Sequence, residues 1–396
     1  MRIDNICPQS RIKPWKPAQS QVPHLTIETN MTCNFKCHSC YNLNTNYVKD
    51  LKLVFEEIDT GLRMRKVDTI TIMGGEPTLY PDLVKVIRYI KSKGIFCQML
   101  TNGFLIYSDH KDLLLNDIKS AGLDRIILHV DKGQDIYRDP PAVLHSLFAK
   151  TGKLNLLTSI SWTIYKNEQG YLPELLKEFS SYKNFDGILA LLEKPMDLCV
   201  LPGFNRNQYP NLLEEHTALN NRMNLQPSVY LPNSLDDNSV SWLVYMYFIN
   251  STTFQTFYLS PGLTRIFQKT YTKIFKKEMF GKPPMRSSFG LSLVATGLME
   301  MLANPLRISS LLKLFKNSGG FSNIRFHYLA IQDSPSYNNV LNNVAICYGC
   351  PDATVRNGKL TPVCLADRIN PLNNDNSMNK EYKEIEMHVF DHLGQN

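Results

Sequence analysis

Cys33, Cys37 and Cys40 stand in the stretch TCNFKCHSCYN with C-x3-C-x2-C spacing and Tyr41 directly behind them. Thiolates this close on one chain segment are metal ligands by type. A closed zinc site needs four protein ligands, and the only further candidate nearby is His38, whose adjacency to Cys37 would strain a single tetrahedron. A cubane iron–sulfur cluster also normally takes four thiolates. Three would leave one iron open, and an open metal position is where chemistry takes place. Buried cysteines acting as small hydrophobes are the remaining reading, which conflicts with the polar residues between them. A second group, Cys347, Cys350 and Cys364, has C-x2-C-x13-C spacing. Asn357-Gly358, between ATVR and KLTPV, is a two-residue hairpin signal that would return Cys364 toward the other two. Zinc with His327 or His388 as fourth ligand is the alternative for this group.

The first group must be positioned by the elements around it. Short β-branched runs at 24–29, 67–73, 95–100, 124–130, 156–164 and 186–192 alternate with helical patterns such as 53–66, 81–94 and 171–182. Strand and helix repeated about six times predict parallel βα units, in an open sheet or a partial barrel. In either, reactive residues gather at the C-terminal ends of the strands. The first strand runs into the cysteine loop; the second ends in GGEP (Gly74, Gly75, Glu76, Pro77), the third in Thr101-Asn102-Gly103 and the fourth in His129-Val130-Asp131. Glycines at 74 and 75 would let a ligand approach the backbone, and Glu76 can receive an ammonium group.

On these motifs the stretch from about 23 to 200 resembles the radical S-adenosylmethionine (SAM) superfamily. The resemblance implies a [4Fe–4S] cluster on Cys33, Cys37 and Cys40 whose fourth iron is chelated by SAM. It further implies reductive cleavage of SAM to a 5′-deoxyadenosyl radical, hydrogen abstraction from a substrate C–H bond, and a one-electron donor such as flavodoxin or ferredoxin. Carried over residue by residue, Gly74, Gly75, Glu76 and Pro77 correspond to the methionine-ammonium site and Tyr41 to the aromatic position near the adenine. Thr101 and Asn102 line the same rim, and His129 and Asp131 stand where the family often has Ser-x-Asp. Ser161 and Thr163 are further candidates on the fifth strand. The second cysteine group is similar to twitch or SPASM auxiliary regions, with the spacing of the GTP cyclase of molybdenum-cofactor biosynthesis. That similarity implies a second [4Fe–4S] cluster, its fourth site open or filled by an unnamed side chain. The Asn-Arg-x-Arg run that follows the second cysteine in that cyclase is here Pro351-Asp352-Ala353-Thr354, which argues against the same substrate.

The expected architecture is an α/β partial (βα)6 TIM-like barrel with attachments: an N-terminal extension (1–22), the barrel (23–225), a helical, basic, aromatic-rich insertion (226–320), and an auxiliary-cluster region with a polar, poorly packed tail (321–396). Nine cysteines without a secretory signal point to a reducing, cytoplasmic setting, and no apolar run is long enough to span a bilayer. Cys97 and Cys199 read as packing residues, Cys7 as part of a mobile terminus ahead of a proline, and His388 and His392 as surface residues. Between Pro261 and Gly319 ten Lys or Arg face two Glu, a surplus of eight positive charges in a chain whose total is +7. Leu263, Ile266, Phe267, Tyr271, Ile274 and Phe275 recur at helical spacing opposite Arg265, Lys269, Lys273, Lys276 and Lys277. That pattern fits a lid packed on the barrel, or an interfacial surface for anionic lipid or a lipid-like substrate across 261–316. No RNA- or DNA-binding module accompanies the charge, which argues against nucleic acid. Rival functions are a peptide-modifying maturase and, from another class, a non-catalytic iron–sulfur or zinc sensor. The paired GGEP and TNG strand ends argue against the sensor.

Overall fold

The computed structural model describes residues 1–8, 12–43, 45–278, 295–300, 307–316, 323–333 and 335–372, together with 385, 389, 392 and 393. Six expected strands form within a residue or two of their sequence limits: β1 (His24–Glu28), β2 (Thr69–Met73), β3 (Phe96–Thr101), β4 (Arg125–Val130), β5 (Leu157–Ile164) and β6 (Phe185–Leu192). They follow one another in order, each parallel to the last. Near-continuous burial explains their unbroken apolar runs, as expected of parallel strands covered by helices.

The covering helices show how closely the layers meet. The helix Leu51–Met64 is capped by Asp50, whose side chain accepts from Lys52 N, and buries Val54, Ile58 and Gly61. A Cβ at Gly61 would lie 2.3 Å from the Leu25 side chain, so any larger residue would have to displace Leu25 where this helix seats on β1. The next helix, Leu83–Ser92, turns Leu83, Val86, Ile87 and Ile90 inward. A polar row also ties the strands together: His24 meets Thr71 Oγ1 at 2.7 Å, Gln98 donates to the same oxygen at 2.6 Å, and Arg125 donates to Gln98 Oε1 at 2.7 Å and pairs with Asp186.

Beyond the six units the chain departs from expectation. Where 226–320 was expected to be a helical insertion, its first part is sheet: β7 (Val229–Pro232), β8 (Val240–Asn250) and β9 (Thr256–Tyr258). The run VSWLVYMYFIN is β-branched and aromatic, and it is buried along most of its length because it pairs antiparallel with β10 (Ile324–Gln332). β10 in turn lies parallel to β6. On the opposite side, β13 (Ala353–Arg356) adds parallel to β1 and carries β14 (Lys359–Pro362), while β11 (Ser336–Asn338) and β12 (Asn343–Ala345) form a separate ribbon. The boundary expected at 320/321 therefore does not divide the sheet, a single 12-stranded array ordered β14-β13-β1-β2-β3-β4-β5-β6-β10-β8-β7, with β9 on β8.

Two further expectations need correction. The tail beyond 370 is not merely polar surface: Ile385, Val389 and Leu393 are buried in the main core, at the spacing of one helix face, and His392 packs edge-on against Tyr348. Nor is the apolar stripe of the basic helix Pro261–Phe275 packed away. Leu263 and Thr264 are buried, whereas Ile266, Ile274 and Phe275 are exposed beside the lysines. Lys282, Arg286, most of the apolar run 289–302, the linker 317–322 and His388 lie outside the described residues.

Candidate active site

The strands β1 to β5 run parallel and in register, so their C-terminal ends share one edge of the sheet. The irregular loop after β1 is laid onto the end of β2. Gly75 N donates to Asn30 O at 2.6 Å, Glu76 N donates to Thr32 O at 2.8 Å, and Asn30 Nδ2 donates to Glu76 O at 3.1 Å. Cβ atoms at Gly74 and Gly75 would each fall 2.1 Å from a carbonyl oxygen, of Asn30 and Thr32 respectively. The approach that demands glycine here is thus made by the chain's own cysteine loop, where a ligand had been expected.

Glu76 is 1% exposed, and its carboxylate is already occupied. Oε1 accepts from Thr101 Oγ1 and Thr78 Oγ1, both at 2.6 Å, and from Thr78 N at 3.0 Å; Oε2 accepts from Asn102 N at 2.8 Å. Burial pushes its pKa up, while these donors pull it back. The carboxylate is therefore a strut that locks GGEP to the end of β3. Pro77 is buried and opens the following 3-10 turn, for which Glu76 is the cap. Asn102 extends the strut toward the cysteines: its Nδ2 donates to Asn34 Oδ1 at 2.8 Å, and Tyr137 OH donates to its carbonyl at 3.1 Å.

The end of β4 grips the same loop from the other side. Asp131 accepts from Thr163 Oγ1 and from Tyr165 OH, both at 2.7 Å, and its N–H donates to Gln134 Oε1 at 3.0 Å. Gln134 Nε2 then donates to Cys37 Sγ at 3.2 Å, and His38 N donates to Lys132 O at 3.0 Å. Gly133, at φ +88°, brings its backbone so near Lys36 O that a Cβ would sit 2.3 Å away. His129 Nδ1 meets Ser161 Oγ at 3.2 Å, and burial lowers the pKa of this imidazole. Tyr165, Gln134, Asn30 and Thr78 are site residues that the sequence did not single out. Each is an ordinary polar residue outside any motif, so its role becomes visible only through its partners.

Burial raises the thiol pKa values of Cys33, Cys37 and Cys40, the last to about 11, and the negative charge of neighbouring thiols and of Asp131 adds to the effect at Cys37 and Cys40. Among the described residues no three Cys, His, Asp or Glu side chains stand as a preformed metal cage. The donor set nevertheless fits a thiolate-bound cationic group. Thiols whose ionisation is opposed by burial and by neighbouring negative charge are relieved by a cationic group, and an amide N–H already points at one of them.

The second cysteine group is held with comparable care. Trp242 Nε1 donates to Cys347 Sγ at 3.1 Å, and the buried Arg65 donates to Gly349 O, Cys350 O and His24 O, each at 3.0 Å. Gly349 and Cys350 both have positive φ, +64° and +29°, which turns the backbone sharply at the second thiol. Burial, then the charges of the neighbouring thiols, raises the pKa of Cys350 and of Cys364. Asn357 and Gly358, at φ +48° and +75°, make the expected turn of the β13–β14 hairpin. Of the other ligand candidates, Cys7 meets His216 Nε2 at 3.4 Å, and His327 lies between Phe185 and Tyr247 with its pKa lowered by burial to about 3.

The two groups are strapped together. After Cys364, Asp367 Oδ2 accepts from Leu43 N at 3.0 Å, and Arg368 donates to Tyr41 O at 2.7 Å. Arg356 donates to both carboxylate oxygens of Glu28 at 2.7 Å and pairs with Asp367 at 2.7 Å. Tyr41 OH lies 3.6 Å from Met73 Sδ, and burial together with the charges of Glu28, Cys40, Asp367 and Cys364 holds its phenol well above the usual range.

Comparison with known proteins bears on the first group. A protein of Methanocaldococcus jannaschii named as a glycyl-radical enzyme activating enzyme is 32% identical over 108 residues, 27% of this chain and 43% of that protein. A probable GTP 3',8-cyclase of Saccharolobus solfataricus is 38% identical over 109 residues, 26% of this chain and 32% of that protein. The matched stretches thus span about a third to two fifths of the length of these relatives. Among solved structures, Streptococcus suis SuiB bound to S-adenosylmethionine aligns with a TM-score of 0.38 and 19% identity, covering 47% of this chain and 43% of that one. The model of the Radical SAM superfamily matches residues 27–146, which take in the cysteine loop and the ends of β1 to β4; this part of the chain is a radical SAM superfamily domain.

Proposed function

We propose that the protein is an enzyme that binds SAM at the rim of β1 to β5 and uses it to abstract hydrogen from a substrate C–H bond. The observation that carries this reading is the joining of three motifs by one buried carboxylate. Glu76 ties GGEP to Thr101 and Asn102, and Asn102 reaches Asn34 inside the cysteine loop. Cys33, Cys37 and Cys40 would hold a [4Fe–4S] cluster, with its fourth iron left for SAM. When bound, that cluster supplies one electron to the sulfonium of SAM, which yields methionine and a 5′-deoxyadenosyl radical. The protein's own residues do the rest. The backbone at Gly74–Pro77 offers carbonyls to the methionine ammonium, Tyr41 stands for the adenine, and Asp131, His129, Ser161 and Thr163 form the polar wall toward ribose or carboxylate. Gln134 orients Cys37. A one-electron donor such as flavodoxin or ferredoxin is the partner this chemistry requires.

Cys347, Cys350 and Cys364 would hold a second [4Fe–4S] cluster in a twitch-like region. Support comes from the indole N–H on Cys347 and the buried guanidinium beneath Cys350. Reconstituted anaerobically, the chain should bind about eight iron and eight sulfide, and Ala replacements of either cysteine trio should leave about half. Zinc in the second group after expression in iron-rich medium would overturn that part of the reading.

For the substrate, the exposed Ile266, Ile274 and Phe275 among basic residues favour a lipid-like molecule or an anionic bilayer surface over a peptide. No helix among the described residues is long and apolar enough to cross a membrane. The protein should sediment with anionic vesicles and not neutral ones, and salt should weaken binding as the Debye length falls from about 10 Å at 0.1 M to about 3 Å at 1 M. Indifference to both vesicle types would remove the lipid reading.

A further inference from the structure

We infer that Cys199 supplies the fourth thiolate of the second cysteine site, beside Cys347, Cys350 and Cys364, and so closes that site against substrate. The inference rests on the proposal that this site binds a [4Fe–4S] cluster, and it names the ligand that cysteine spacing alone leaves open.

Cys199 lies 148 residues before Cys347 in sequence, in the loop that follows β6, yet two anchors carry that loop to the site. Tyr337 N donates to Cys199 O at 2.7 Å. Tyr337 belongs to β11, whose partner β12 ends two residues before Cys347. On the other flank, Asp197 accepts from Arg368, four residues beyond Cys364, at 3.0 Å from Nε. The loop 197–199 is thus pinned between the chain entering the cysteine group and the chain leaving it.

The thiol itself is uncommitted. Cys199 is 0% exposed, and its sulfur has only a 3.9 Å contact with Met196 O among the described residues. Its surroundings suit a thiolate. Basic groups stand on the segments that hold this loop: Lys194 five residues before the thiol, and Arg368 on Asp197. Lys194 is itself buried and shares Asp333 with Arg206.

Closure matters for function. A cubane with three protein thiolates leaves one iron to bind substrate, whereas a fourth thiolate occupies that position. With Cys199 in place, substrate binds elsewhere, at the rim that holds SAM.

The test uses the full chain carrying Cys33→Ala, Cys37→Ala and Cys40→Ala, so that only the second site takes up iron. This parent should bind about four iron after anaerobic reconstitution. Cys199→Ala in that background should lose iron on mild ferricyanide oxidation, falling to about three per chain, with a changed electron paramagnetic resonance spectrum. Cys199→Ser should keep more iron than Cys199→Ala, since its oxygen is a weaker ligand in the same place. Cys97→Ala, which removes an equally buried thiol in β3, should match the parent. If Cys199→Ala keeps the parent's iron and spectrum, the inference is overturned while the second cluster stands. If the parent binds no iron, the second-cluster reading itself fails and the inference falls with it.

Discussion

Arg356→Ala should destabilise the protein by about 3–5 kcal/mol, the cost of breaking a buried ion pair by removing one partner. Arg356 and Glu28 are 0% and 1% exposed, and the guanidinium also meets Asp367 and the carbonyl of Asn370. Without it two carboxylates are left facing each other in the core where β13 joins β1. Against a total stability of roughly 5–15 kcal/mol, that loss should be plain in a urea titration. Arg356→Lys should recover only part of it, because an ammonium cannot present two parallel N–H groups to Glu28. Both cysteine groups should then take up less iron, since Asp367 and Arg368 strap the first loop from beside Cys364. A loss below about 1 kcal/mol would mean that the seam is held by apolar packing alone.

Glu76→Ala should damage the site before it damages SAM binding as such. Four donors lose their acceptor, each at about 1–3 kcal/mol, partly offset because a buried charge is removed as well. A net destabilisation of about 3 kcal/mol should appear in thermal melts, together with loss of SAM binding. Glu76→Gln keeps an acceptor for Thr101 and Thr78 but turns an amide against Asn102 N, and should fall between wild type and Glu76→Ala. Had the side chain been a free ligand for the methionine ammonium, Glu76→Ala would lower SAM affinity and leave the melting temperature unchanged. That outcome would refute the strut.

How much of this could be read from sequence depends on how local the signal is. The strands β1 to β6 announce themselves through β-branched runs between helical periods, and the Asn357-Gly358 turn through its demand for positive φ. The cysteines, GGEP and TNG carry their meaning in spacing. What spacing cannot supply is partnership across the sheet. The run 240–250 is as apolar as a helix core and as β-branched as a strand, and only pairing with β10 decides between them. Glycines 74 and 75 suggested room for a ligand, but the tight neighbour is the chain's own Asn30–Thr32 backbone. Ile385, Val389 and Leu393 were hidden in a polar tail because three apolar residues at helical spacing are too few to stand out. Cys199 read as a packing residue because its neighbours in sequence are not its neighbours in space.

The central claim is that the Cys33, Cys37 and Cys40 loop and the GGEP and TNG strand ends form one SAM-cleaving site. Reconstituted, dithionite-reduced protein incubated with SAM under strict anaerobiosis should release 5′-deoxyadenosine, slowly in the absence of substrate, as followed by chromatography. Cys37→Ala should release none, while the variant lacking Cys347, Cys350 and Cys364 should still release it. No 5′-deoxyadenosine from fully loaded, reduced wild-type protein, with no change in its electron paramagnetic resonance spectrum on adding SAM, would contradict the account and favour a non-catalytic iron–sulfur protein.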